Sequence, residues 1–340
     1  MKLKLLGLAV SALMLASCGK KEGDTAATAP AAEEEKVLNV YNWSDYIAPG
    51  TLAKFEKETG IKVTYDVFDS NEVLETKLVT GNTGYDVVVP SLTFLARQIQ
   101  AGVFMPLDKT KIPNLANMDP EIQANIAKLD AGNTHSVNYL WGTTGIGYNV
   151  KKIKEVFGDA APVDSWALVF DPANLAKLKE CGVYMLDTPS EIIPPVLNYL
   201  GEEPNSFDPA VIAKAEARLK ELRPSITQFH SSEYINALAN GDACVAVGWS
   251  GDIFQAATRA EEANNGVEIA YVIPKEGAPM WFDMMAIPKD AKHPNNAHAF
   301  INFILRPEIA AEISNYVAYA SANKAALASI DAELKANPGV

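Results

Sequence analysis

From Val37 onward, short apolar runs alternate with amphipathic stretches, and that alternation predicts the fold class before any single residue is weighed. Residues 37–41, 61–68 and 85–89 read as strands. Each is followed by a helical pattern: 50–59 closed by Gly60, 71–80 closed by Gly81, and 91–100 after Pro90. Strand-like runs resume at 145–150, 182–186, 244–249 and 267–273, with helical patterns at 212–222 and 232–240. Strands alternating with ~10-residue helices predict an α/β protein built on a largely parallel sheet. The 340 residues suffice for two lobes at roughly 100–200 residues per domain. In such architectures ligands lie in a cleft at the carboxyl ends of the strands.

The first residues follow a different pattern. Lys2 and Lys4 precede an apolar run over 5–16, shorter than the ~20 residues needed to cross a bilayer, and the run ends Leu15-Ala16-Ser17-Cys18. We read 1–17 as an export signal. Leu-Ala-Ser-Cys resembles the lipobox of bacterial lipoproteins, which makes Cys18 the expected lipidated first residue of a periplasmic, membrane-anchored protein. Residues 18–36, rich in Ala, Glu and Lys without apolar periodicity, read as a flexible tether.

Charge changes the picture further. The chain carries 42 acids against 29 bases, a net charge of -13, which argues against a nucleic-acid partner and leaves a cationic ligand unrepelled. With Cys18 lipidated, Cys181 and Cys244 remain; export permits a disulfide between them, and two buried thiols are the alternative.

Enzyme motifs are incomplete. Gly145-Ile146-Gly147 lacks the third glycine of a dinucleotide site, and Gly248-Trp249-Ser250-Gly251-Asp252 has Asp where a nucleophile elbow needs Gly. The glycines of that second motif read as room for a tight backbone turn beside a ligand. His293 and His298 lack the Glu of a metalloprotease helix, and His135 and His230 are isolated, so no metal or cofactor is expected. A secreted hydrolase is disfavoured because it would need a nucleophile–base pair.

A pattern of Trp followed by Asp does stand out. Trp43-Ser44-Asp45, Trp249-Ser250-Gly251-Asp252 and Trp281-Phe282-Asp283 each place a carboxylate within three residues of an indole. The first two directly follow predicted strands, where the cleft is expected. Aromatic faces attract ammonium groups and cover methylene carbons, while carboxylates accept charge-assisted hydrogen bonds from each amine. This is chemistry for a chain-like organic cation. Core tryptophans with aspartates capping helices are the plainer alternative. Trp166 reads as core and Trp141 as a further cleft-lining candidate.

The motifs Tyr41-Asn42-Trp43-Ser44-Asp45-Tyr46, Phe68-Asp69-Ser70-Asn71-Glu72, Val89-Pro90-Ser91 and Thr144-Gly145-Ile146-Gly147-Tyr148-Asn149 resemble those of the bacterial spermidine/putrescine-binding proteins that feed ATP-driven importers. So do 236–242, 248–252 and Ile273-Pro274-Lys275-Glu276-Gly277, and the resemblance runs from Val37 to Val340. It implies a bilobal type II periplasmic-binding-protein fold with two hinge crossovers. Lobe 1 is expected at 37–143 plus 274–318, and lobe 2 at 144–273 plus 319–340. It also implies a polyamine, putrescine or spermidine, held between the rings of Trp43, Tyr46, Trp249, Trp281 and Tyr319. Asp45, Glu191, Asp252 and Asp283 would take the amines, Ser44 and Ser91 would donate or accept hydrogen bonds, and Cys181 would pair with Cys244.

An ABC permease with its ATPase subunit would be the partner of a monomeric receptor, which touches the membrane through its lipid anchor only. Glu191 is the loosest match, with Asp187 a neighbouring candidate. The family pattern continues past the Asn-Pro-Gly that stands here at 337–339, so the chain reads as a fragment or a shortened member. A same-fold receptor for a ferric ion, sugar or amino acid is the competing expectation; a ferric site would want clustered Tyr, His and carboxylate ligands instead of Trp-walled acids.

Overall fold

The computed structural model of the chain describes residues 34–336. The export signal, Cys18, the tether up to residue 33 and the Asn337-Pro338-Gly339 end lie outside the described residues. The last tether residues are held rather than free. The Glu34 carboxylate accepts from the backbone N–H groups of Asn295 and Asn296 at the start of the helix Pro294–Ile304, where exposed N–H groups favour an anion. Asn296 Nδ2 also donates to the Glu35 carbonyl.

The described strands are β1 Val37–Trp43, β2 Lys62–Phe68, β3 Val87–Val88, β4 Ser136–Asn149, β5 Val183–Met185, β6 Gln228–Phe229, β7 Val245–Trp249, β8 Ile269–Val272 and β9 Met280–Ala286. They pair in the order β2-β1-β3-β9-β4-β7-β5-β6, with β8 also on β4. The sheet is mixed rather than largely parallel. β2-β1-β3 and β7-β5-β6 are parallel sets, and the antiparallel strands β4, β8 and β9 join them.

β4 is the connecting element. Its first part, Ser136 to Thr143, pairs with β9; its second part, Thr144 to Asn149, pairs with β7 on one side and β8 on the other. Two half-sheets therefore share one strand, and the chain returns from the second to the first between β8 and β9. Helices cover the half-sheets, as parallel strands require. The helix Thr51–Thr59 ends at Gly60 in the left-handed region (φ 71°), whose N–H closes on the Glu56 carbonyl, as the Gly after the apolar run predicts.

Cys181 and Cys244 form a disulfide that ties the start of β5 to the start of β7. The C-terminal segment expected in lobe 2 touches both half-sheets: Tyr319 bonds Asp252 of the second, and the residues after it reach the first. Ala320 bridges to Trp141 in the first part of β4, Asn323 bridges to Met118, and Asn323 Nδ2 donates to the Leu305 carbonyl.

Candidate functional site

Strand ends build the site. Trp43 closes β1, Phe68 closes β2, Ser91 follows β3, Trp249 closes β7, and Ser231 and Ser232 follow β6. Glu191 and Asp252 occupy the first turns of the helices Pro189–Tyr199 and Ser250–Glu262, just past β5 and β7. With Trp281 and Asp283 on β9, and with Tyr319, these residues line one cleft that opens to solvent. Every side chain expected at the ligand, from Trp43 to Tyr319, lines that one cleft, and no Lys, Arg or His is among its described lining residues.

Two carboxylates sit deep in it, both held by hydroxyls. Asp283, 3% exposed, accepts from Ser91 Oγ at 2.6 Å and from Tyr46 Oη at 2.9 Å. Asp252, 6% exposed, accepts from Tyr319 Oη at 2.6 Å and Tyr234 Oη at 2.7 Å. Burial pushes both carboxyls up to about 7, against the pull of those hydrogen bonds. Burial also raises Glu191, and the negative charge of Glu72 adds to it; hydrogen bonds from Thr144 and Trp249 oppose the rise. The floor of the cleft is thus an acidic, desolvated space, and no basic side chain is among its described lining residues.

The glycines of the 248–252 motif have a different job from the tight turn expected of them. A Cβ on Gly248 would lie 2.5 Å from the Tyr234 ring, and one on Gly251 would lie 2.4 Å from the Tyr319 ring. Both glycines make room for the two tyrosines that hold Asp252. Each tyrosine also accepts a backbone N–H from the same motif: Trp249 N to Tyr234 Oη at 3.1 Å, and Asp252 N to Tyr319 Oη at 3.2 Å.

Aromatic rings form the walls. Trp43 anchors its indole N–H on the Val89 carbonyl (2.9 Å) and stands edge-on to Trp249, with ring centroids 5.5 Å apart. Trp281 donates to Thr144 Oγ1 at 3.2 Å and packs 5.4 Å from Tyr319, which in turn meets Tyr46 at 5.0 Å. Trp141 is not part of this wall: its ring packs on Phe282 across the β4–β9 pair. Trp166 is core, fully buried, with its indole N–H on the Gly277 carbonyl.

The cleft mouth is bridged from both half-sheets. Asp45, in the left-handed turn after β1 (φ 51°), is exposed and ion-paired with Arg259 Nη2 at 2.7 Å. It lines the cleft, yet its charge is already engaged, so its position is the rim rather than the floor. Asp69 accepts from Ser44 Oγ at 2.6 Å and from Ser232 Oγ at 2.8 Å, and Ser190 Oγ reaches Glu72 at 3.0 Å. Asp69, Asn71, Ser231, Ser232, Ile235 and Phe68 were not singled out as site residues from the sequence. The signal for Phe68 and Asp69 was their place at the end of β2. No group of His, Cys, Asp or Glu able to hold a metal occurs among the described residues.

A cleft between α/β half-sheets, walled by aromatic rings over buried carboxylates, suits the capture of a small solute, and the comparisons agree. The model of the family described as bacterial extracellular solute-binding protein matches residues 51–340. The chain belongs to this family, whose members bind solutes and are not enzymes. It is 56% identical to the putrescine-binding periplasmic protein PotF of Escherichia coli (strain K12), over 99% of this chain and 88% of that one. It is 54% identical to the putrescine-binding periplasmic protein SpuD of Pseudomonas aeruginosa (strain UCBPP-PA14), over 99% and 90%. Among solved structures, the spermidine/putrescine ABC transporter substrate-binding protein PotD of Streptococcus pneumoniae matches with a TM-score of 0.68 at 35% identity, over 90% of this chain and 88% of that one. The fold is the α/β periplasmic-binding-protein fold.

Proposed function

We propose that this chain is a periplasmic receptor that captures a polyamine, putrescine first, and delivers it to an ABC importer. One observation carries the reading: two buried carboxylates, each aimed by two hydroxyls, face an aromatic-walled cleft with no basic side chain among its described lining residues. An unpaired buried carboxylate is costly, and a diamine supplies a cation for each. The indole and phenol rings then cover the methylene chain and attract the ammonium ends, by about 0.5–2 kcal/mol each. Micromolar affinity requires about 8 kcal/mol in all. The names of the 56% and 54% identical relatives support putrescine as the ligand.

Asp283 and Asp252 take the two amines, and Glu191 lies beside the chain within reach of a third. Ser44, Asp45, Asp69 and Ser232 close the mouth, and the form closed from both half-sheets is the one that docks on the permease, which its ATPase subunit drives. Cys18, lipidated, keeps the receptor at the membrane as a monomer on a tether.

Titration calorimetry of the chain carrying Cys18→Ser, with putrescine, cadaverine, spermidine and spermine and with lysine and maltose as controls, tests the reading. Saturable one-to-one binding of a polyamine alone supports it. Silence toward every amine from a folded sample, or binding of a control instead, overturns it.

A further inference from the structure

The hydroxyls that hold the two carboxylates differ in where they stand. Ser91 and Tyr46, the donors to Asp283, both line the cleft, whereas of the donors to Asp252 only Tyr319 does. Tyr234 is fully buried on the helix Glu233–Asn240, behind Asp252 and outside the cleft lining. Its hydroxyl still makes two bonds that matter there. It donates to Asp252 Oδ2 at 2.7 Å and accepts the N–H of Trp249 at 3.1 Å, tying a cleft carboxylate to the backbone of a cleft aromatic. The absent Cβ of Gly248 is what lets the ring approach.

Resting on the polyamine-receptor reading, we infer that Tyr234 is a positioning residue that holds Asp252 ionised and aimed into the cleft without touching the ligand. The groups that face Asp252 are few. Tyr319 and Tyr234 donate to it, Tyr46 lies nearby, the Asp45 charge opposes its ionisation and the Arg259 charge favours it; Tyr271 neighbours Tyr234. Burial pushes the carboxyl upward, and the two hydroxyls are the largest counterweights. Losing one lets the carboxyl take up a proton at a higher pH, and a neutral acid offers an ammonium no charge.

The test is calorimetric titration of putrescine into the full chain with Cys18→Ser, with and without Tyr234→Phe, between about pH 6 and 8.5, where the ammonium groups stay charged. Tyr234→Phe is expected to bind about fivefold more weakly at pH 7 and about tenfold more weakly at pH 6, with the deficit nearly gone at pH 8.5. The pH at which affinity falls away rises by about one unit. Gly248→Ala, which pushes the ring away while keeping its hydroxyl, is expected to move the pH profile in the same direction and carries the test if Tyr234→Phe does not fold. Thermal melts identify folded samples. An equal deficit at every pH, or none, assigns Tyr234 to packing alone and overturns the inference. Failure of the unsubstituted chain to bind any polyamine would instead remove the receptor reading and this inference with it.

Discussion

Asp283 and Asp252 face the same cleft, but their surroundings are assembled in different ways. Asp283 lies on β9, and its donors come from the ends of β1 and β3, so all three belong to the first half-sheet. Asp252 opens a helix of the second half-sheet. One donor, Tyr234, shares that half, while the other, Tyr319, precedes Ala320, which is bridged to Trp141 in the first part of β4. One carboxylate is therefore preset within a single half of the molecule, and the other is completed from both. The lesson is a division of labour: one half supplies every hydroxyl on the first carboxylate, while the second carboxylate draws one of its hydroxyls from a residue beside the Ala320–Trp141 bridge.

The largest effect comes from removing the preset charge. Asp283→Asn is expected to weaken putrescine binding by about a hundredfold to a thousandfold in calorimetry, the scale of losing one partner of a desolvated charge pair. Asp252→Asn should fall in the same range. A loss below tenfold for Asp283 would break the comparison. In the ligand-free protein the sign reverses. A carboxyl whose folded pKa of about 7 lies above its unfolded value costs stability increasingly as pH rises from about 4 to about 7. Asp283→Asn should therefore raise the melting temperature by a few degrees at pH 8 and by nothing measurable at pH 4.

pH sharpens the contrast. Both carboxyls titrate at about 7, so polyamine affinity should be full above pH 8 and decline as pH falls through neutrality toward 6. Flat affinity over that range would mean that the acids are ionised for reasons other than those described. Removing one hydroxyl comes next in size. Ser91→Ala and Tyr319→Phe should each cost about tenfold, with Tyr319→Phe also slowing closure in stopped-flow fluorescence because its bond spans the halves. Smallest is the rim. The Asp45–Arg259 pair is partly exposed, and Arg259→Ala should change affinity by less than about fivefold, diminishing further at high salt.

The elements whose periodicity is local were legible in the sequence, and those that depend on context were not. β1, β2 and their helices followed their apolar pattern and glycine stops to within a residue or two. β4 was seen only from residue 145, because its first part is buried on both faces and includes Asn138, Gly142 and Thr143, which break any alternation. The helix Pro189–Tyr199 was hidden by Pro194 and Pro195, and Ser250–Glu262 opens on Ser-Gly-Asp, which reads as a turn.

The site divides the same way. A count of Trp–Asp neighbours singled out Asp252 and Asp283, which the fold buries in the cleft, and Asp45, which it sets at the rim beside Arg259. Tyr319 meets Asp252 across 67 residues and Tyr234 across 18, and no local pattern announces such a meeting; Tyr319 entered through family resemblance, and Tyr234 did not enter at all.

Gly248 and Gly251 carry a consequence for redesign. Neither is among the cleft-lining residues, yet a single methyl at either would collide with a tyrosine that aims Asp252. A screen for altered solute preference can vary the walls at Trp281 or Glu191, but substitution at the two glycines should weaken binding of any cation regardless of its length. The motif is an address for two rings rather than for a substrate, and it limits which evolutionary routes stay open to the cleft.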